Sequence, residues 1–451
     1  MTLGLLLRVA LLWETRDTPL VAYDERDYYA LAENLVHRGE FALVPGRLTS
    51  MRPPLYPAFV AAVFKLTGWE SPQAVRVAQV GVSAVLALCT FVLGKRVFGR
   101  RAGIAAAVAV WLYPSFLLAN CLVLTELLFA LLVVLSAIAF GSLVERPSWW
   151  RGLLLGLAIG CAALTRSVLW PFPLVLVPML LVAAPGRPRT RLAIAACVLA
   201  GYGLAVGPWA VRNTRLQHVP VVIDTMGGIN LRIGNYEWTP DERMWSAPFE
   251  FTGERSWSAA LPQQHPDAPA WTDGQKDKWA QRKAVEFILS HPWVTARRCL
   301  IRFADFWGLE REFVALIRDG KYHVPAWFAG LGGAATVLAY PILILLAVFG
   351  AFCATPSDWR TCSYCLLLTL FVCGVHCLVF AHSRYRLPLT GIFAVFAAAA
   401  FVQRPSPAAL PGWRRSAAFV CAAILLVVWA RQLAFSDLPR VLDFVHEVSG
   451  T

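Results

Sequence analysis

Asp24, Glu25 and Asp27 place three carboxylates within four residues, in the run YDERDY. Such crowding raises at least one pKa and suits a group that takes a proton from a hydroxyl. The competing structural reading makes Asp24 a helix N-cap, with Glu25 and Asp27 favoured by the dipole of the first turn. A second patch, RPPLYP, begins at Arg52. Pro53 and Pro54 restrain the backbone beside it, so this arginine suits a bidentate grip on a phosphate, unless it snorkels to lipid headgroups. Glu126 opens the apolar run ELLFALL. A carboxylate there is costly unless it faces a polar cavity or, with Thr125, caps the helix. Arg384 and Arg386 lie in HSRYRLP. They are candidates for an anionic ligand, or else interfacial anchors with Tyr385.

The elements that must position these residues are apolar helices. Of 451 residues 58% are hydrophobic and 15% charged, which identifies a polytopic α-helical membrane protein. Windows long and apolar enough to cross a bilayer fall near 1–13, 73–94, 102–119, 121–143, 152–168, 169–184, 191–211, 325–350, 361–381, 387–403 and 416–432, about 11 spans. The first is short: either Met1 is not the true start or Trp13 completes the span, and no small-residue cleavage site marks a signal peptide. With a cytoplasmic N-terminus, the inside loops collect Lys95, Arg96, Arg100, Arg101, Arg146, Arg151, Arg187, Arg189, Arg191, Arg360, Arg404, Arg414 and Arg415 against only Glu145 and Asp358. The net charge of +13 is therefore a topology signal. Spread over short loops, it gives no stripe for nucleic acid.

The same orientation puts 14–72 and 212–324 outside, dividing the chain into an N-terminal membrane module (1–211), an outer insert (212–324) and C-terminal helices (325–451). Within the first loop, Asp24–Val36 and Pro53–Leu66 read as interfacial helices, with Gly39 and Gly46 breaking the chain between them. The insert opens with the strand-like run VPVVIDTMGGINLRIGN and ends in a helix near Lys276–Ser290, so an α/β insert is expected. Eight of the eleven cysteines fall in or beside spans as apolar fillers. Cys362 and Cys365 form a lone CxxC, with His376 and His382 further along, and no second pair stands at zinc-ribbon spacing, so no metal site is assigned. The outer face of a bacterial membrane holds no nucleotide-sugar pool, so a group transferred there arrives on a lipid carrier.

The order DE-x-x-Y-x-x-L-A-x-x-L, RPPLYP, Glu126, PWAVRN, GGINLRIGN, FILSHP, FADFW and RYRLPL resembles the bacterial branch of the protein mannosyltransferase and aminoarabinose transferase family. The resemblance runs through residues 20–400. It implies a membrane glycosyltransferase of C-type (GT-C) architecture that moves a sugar, with inversion, from a polyprenyl phosphate to a lipid, glycan or protein acceptor. It implies residence in the bacterial inner membrane, with the active site on the outer face. By it Asp24 and Glu25 form the catalytic pair, Asp24 being the first choice for the base, and Glu126 orients a substrate. Arg52, Arg384 and Arg386 hold the carrier phosphate, Arg52 standing where the family often has lysine. Asp27, Tyr28, Tyr56 and Tyr385 are further substrate-binding candidates. No cofactor is demanded, although a divalent metal would serve in place of the arginines. The alternatives are a transporter or flippase, which requires ionisable groups at mid-span, and an oligosaccharide ligase or polymerase, which requires no early acidic loop.

Overall fold

The computed structural model describes residues 2–20, 22–310, 326–404 and 411–437. Met1 and the last part of the expected insert, 311–324, lie outside the described residues. Helix occupies every one of the expected apolar windows. In chain order these helices are α1 (Thr2–Glu14), α4 (Pro72–Phe98), α5 (Arg100–Leu112), α6 (Pro114–Ala119), α7 (Glu126–Glu145), α8 (Trp149–Thr165), α9 (Pro173–Ala183), α10 (Pro188–Gln217), α16 (Ala326–Cys353), α17 (Trp359–Leu378), α18 (Thr390–Gln403) and α19 (Gly412–Gln432). The expected span 102–119 is two helices, because Pro114 lacks the amide that would continue α5. Among the described residues, seven helices are long and apolar enough to cross a membrane. α18 is apolar on all sides and buried from Thr390 to Ala399, as befits a helix ringed by others.

The two ends of this bundle differ in what they gather. At one end Arg96 donates to Asp358 at 3.0 Å and pairs with Glu145, while the Ser357 amide donates to the Val97 carbonyl at 2.7 Å. Three loops assigned to the inner side thus meet there, and every candidate site residue lies at the other end.

The first long loop, 14–72, folds as its pattern requires, into α2 (Tyr23–Arg38) and α3 (Leu55–Thr67). Gly39, at φ 67°, ends α2, and Gly46, at φ 80°, turns a short antiparallel pair, β1 (Ala42–Val44) with β2 (Arg47–Leu48). Tyr28, Ala32, Tyr56, Val60 and Phe64 form the small core that joins the two helices. Fully buried Arg76 of α4 donates to the carbonyls of Thr15 and Thr18, fixing where the loop leaves the bundle.

The insert corrects the expected α/β reading, since its described residues contain no strand. Gly227–Gly234 is helix α11, followed by α12 (Ala247–Glu250), α13 (Ala260–Gln264), α14 (Asp273–Ser290) and α15 (Pro292–Phe306). The Asp277 carboxylate accepts from the Gly228 and Ile229 amides at 2.7 and 3.0 Å, supplying a helix cap from about fifty residues away in the sequence. A Cβ on Gly228 would stand 2.1 Å from the Asp277 carbonyl oxygen, so this contact between α11 and α14 requires glycine.

Candidate active site

Four separate junctions at one end of the bundle bring one charge cluster together. From α2, residues 24, 27 and 28 share a face, one helical turn apart. Arg52, on the turn before α3, donates from Nη2 to Asp24 Oδ1 at 2.7 Å and to Asp27 Oδ2 at 2.7 Å, and from Nε to Asp27 Oδ2 at 3.0 Å. Its guanidinium stands 5.7 Å from the Tyr28 ring centroid. Arg384 donates from Nε to Glu126 Oε1 at 2.5 Å and lies 3.7 Å from Asp24 Oδ2. Arg166, at the end of α8, donates to the same Glu126 oxygen at 3.2 Å. Three carboxylates therefore face three guanidiniums, and Asp24 lies between Arg52 and Arg384. Burial pushes the Asp24 carboxyl up, but the charges of Arg52, Arg384 and Arg166 outweigh it and hold the group below the usual aspartate value. Burial pushes the Tyr28 phenol up to about 12, so it stays a proton donor.

The backbone leading to Arg52 is held by the PWAVRN segment of α10. Arg212 donates to the Thr49 carbonyl at 2.7 Å, and buried Ser50 donates to Asn213 Oδ1 at 3.0 Å. From the insert, the Thr225 amide donates to the Ser50 carbonyl at 3.0 Å. These bonds fix Arg52 before any ligand arrives, which is how a charged site keeps its geometry.

Two charged residues expected in the site point elsewhere. Glu25 is fully buried, and its two oxygens accept from the Ala22 amide at 2.9 Å and the Val123 amide at 2.8 Å. One step along the helix turns it about 100° from Asp24, so it ties α2 to the segment before α7 and does not face the cluster. Replacing Glu25 by alanine leaves the buried Val123 amide and the partly buried Ala22 amide without their partner, at an expected cost of about 1–3 kcal/mol for the buried one. The measurement is the melting temperature of the purified protein, which should fall while the surviving folded protein keeps its donor affinity.

Arg386 likewise departs from its expected place. It follows Arg384 by two positions on a 3₁₀ helix, Ser383–Leu389, and so projects from a different face. Its guanidinium is buried 3.7 Å over the Tyr340 ring, bonded to the Phe306 carbonyl and 3.9 Å from Glu310 Oε1. Tyr113 and Ser115 donate to the same Glu310 carboxylate. This second cluster is closed and anchors the chain that presents Arg384.

The aromatic candidates differ: Tyr28 and Tyr385 lie against guanidiniums of the cluster, whereas Tyr56 is wholly buried in the small core between α2 and α3 and is not presented to a substrate. Tyr56 meets Tyr28 edge-on at 5.1 Å and donates to Gln79 at 2.9 Å. Tyr385 stacks on His376 at 4.6 Å, with the Arg166 guanidinium 5.4 Å from its ring centroid. Cys362 and Cys365 are buried free thiols at the start of α17. Among the described residues no group of three or more His, Cys, Asp or Glu side chains is placed to hold a metal ion.

Sequence reasoning misses two residues. Arg166 falls inside an apolar window, yet an arginine at the same end of the bundle as Asp24 is the signal that marks Arg384. Asp224, half-buried in the insert, has its carboxyl pushed up by burial against the Ser167 hydroxyl, the Met226 amide and the Arg52 charge. No sequence signal marks it, because its neighbours come from remote segments.

Comparison with known proteins bears on the fold and on part of the sequence. Residues 51–211 match the family model "Dolichyl-phosphate-mannose-protein mannosyltransferase", a stretch that includes Arg52, Glu126 and Arg166. None of the curated proteins compared is significantly similar. Among solved structures, ArnT from Cupriavidus metallidurans bound to undecaprenyl phosphate superposes with a TM-score of 0.50 at 16% identity, over 94% of this chain and 63% of that one. The Archaeoglobus fulgidus oligosaccharyltransferase, in complex with Zn and sulfate, gives 0.49 at 15% identity, over 95% of this chain and 51% of that one. The chain thus spans less than two thirds of the length of either structure. It shares the helical fold of that ArnT structure, and its residues 51–211 match the dolichyl-phosphate-mannose-protein mannosyltransferase family model.

Proposed function

We propose that the protein transfers a sugar from a polyprenyl phosphate carrier to a hydroxyl-bearing lipid, glycan or protein acceptor at the outer end of the bundle, on the periplasmic face of a bacterial inner membrane. The observation that carries this reading is Asp24 held between Arg52 and Arg384, with Arg166 beside them on Glu126. An anionic donor phosphate competes for those guanidiniums. As it takes them, Asp24 loses the charges that depress its pKa and becomes a stronger base, so the seated donor arms the site. The likeness to ArnT bound to undecaprenyl phosphate supports a carrier of that kind.

In the reaction, the acceptor oxygen attacks the anomeric carbon as its proton passes to Asp24. The bond from that carbon to the phosphate oxygen breaks, and the phosphate leaves with the electron pair. Arg52, Arg166 and Arg384 meet the charge that develops on it, supplying the stabilisation a divalent ion would otherwise bring. Phosphate is a good leaving group, so no general acid is required. Glu126 holds Arg166 and Arg384 together and orients the sugar.

The test is to incubate the purified protein with a panel of polyprenyl-phosphate sugars and a bacterial membrane extract. One donor should release free carrier phosphate with label appearing in an acceptor; release from none would refute the reading.

The pH dependence follows from the sign of the shift. A depressed carboxylate contributes its full stabilising pairing above the ordinary aspartate pKa and loses it as pH falls through the lowered folded value. In the donor complex the arginines are shared with phosphate, so the Asp24 pKa lies higher. The acid limb of kcat is therefore expected at higher pH than that of kcat/KM. Coincident limbs, or the reverse order, would rule out this coupling.

A further inference from the structure

Helix α15 is built inside out. Its protein-facing side carries Arg298 and Arg302, 5% and 0% exposed. Arg298 donates to the Tyr236 and Thr239 carbonyls, both at 3.0 Å, and Arg302 donates to the Leu378 and Cys377 carbonyls at 2.8 and 3.1 Å. Its outward side carries Trp293, Leu300 and Phe303, 85%, 72% and 37% exposed. Leu289, on the last turn of α14, extends the stripe at 75% exposure. In water this arrangement loses on both counts, since it buries guanidiniums and exposes large apolar side chains. Against lipid it gains on both, because every buried guanidinium is bonded to backbone carbonyls and the apolar face meets an apolar medium.

The position of the helix fits that solvent. α15 packs on α17, whose own outward residues Leu370 and Leu378 are 69% and 51% exposed, so the stripe continues a surface that a membrane span presents to lipid. α15 also ends beside the bundle: the carbonyl of Trp307, the residue after it, accepts from Tyr340 and Trp429, both at 2.8 Å. Arg297 flanks the stripe and is exposed, in reach of headgroup phosphates, and it also pairs with Asp241 at 2.6 Å.

We infer that the Trp293–Leu300–Phe303 face of α15, with Leu289, is seated in the interfacial layer of the outer leaflet. The occupant of this face is the lipid bilayer. Because Arg302 ties α15 to Gly234 at the end of α11, the lipid seat also sets the height of the insert above the spans. This inference stands whichever reaction the site performs.

The experiment places a photoreactive diazirine amino acid at Leu300, or in a second variant at Phe303, in the full-length protein reconstituted into phosphatidylethanolamine–phosphatidylglycerol vesicles. A control carries the same residue at Gln263, an exposed position on α13, which packs on the half of α14 remote from Leu289. Irradiation should add the mass of a phospholipid at positions 300 and 303 and not at 263. Water-quenched product alone, a covalent dimer, or equal lipid adducts at all three positions would overturn the inference.

Discussion

Asp24→Asn is expected to lower the transfer rate by about 10²–10⁴-fold while leaving membrane insertion and carrier binding intact, the range typical for loss of a general base. Asparagine keeps the shape and one acceptor oxygen, so Arg52 retains its bond to Asp27 and the cluster stays assembled. What disappears is the group that takes the acceptor proton. Removing one negative charge also leaves the three guanidiniums with a net positive charge, so the carrier phosphate should bind at least as tightly as before. The measurement is a single-turnover assay with donor prebound, which separates chemistry from binding. Full activity in a correctly inserted Asp24→Asn protein would remove Asp24 as the base. A rate loss accompanied by equal loss of donor affinity would give it a merely structural role.

Arg52→Ala is expected to raise the donor KM and to lower kcat/KM by about 10²–10³-fold, the magnitude seen when one preorganised group opposite a developing negative charge is removed. The side chain also neutralises Asp24 and Asp27, so its loss leaves two adjacent carboxylates that repel the incoming phosphate. Arg52→Lys should recover only part of the loss. An ammonium restores the charge but not the planar fork that reaches Asp24 and Asp27 at once. Unchanged donor KM in Arg52→Ala would remove this residue from the phosphate site.

Much of the architecture is legible because membrane spans announce themselves by length and hydropathy. The site is legible to the extent that it consists of charged residues at the ends of apolar helices, where charge is costly without a role: Asp24, Arg52, Glu126 and Arg384 all meet. What sequence spacing does not settle is rotation. Glu25 neighbours Asp24 yet turns into the protein, and Arg386 neighbours Arg384 yet closes over Tyr340. Arg166 is hidden by the apolar residues before it. The insert reads wrongly as part strand because the β-branched run Val221–Val222–Ile223 favours strand locally, whereas the cap that makes Gly227–Gly234 helical comes from Asp277, far along the chain.

The most direct test of the central claim is saturation binding of labelled undecaprenyl phosphate to the purified wild-type, Arg52→Ala and Arg384→Ala proteins. Charge-assisted bonds of about 1.5–3 kcal/mol each predict one saturable site in the wild type, weakened roughly 10–100-fold by either substitution. Equal affinity in all three proteins, or no saturable binding to the wild type, would contradict the assignment of this cluster as the seat of a lipid phosphate.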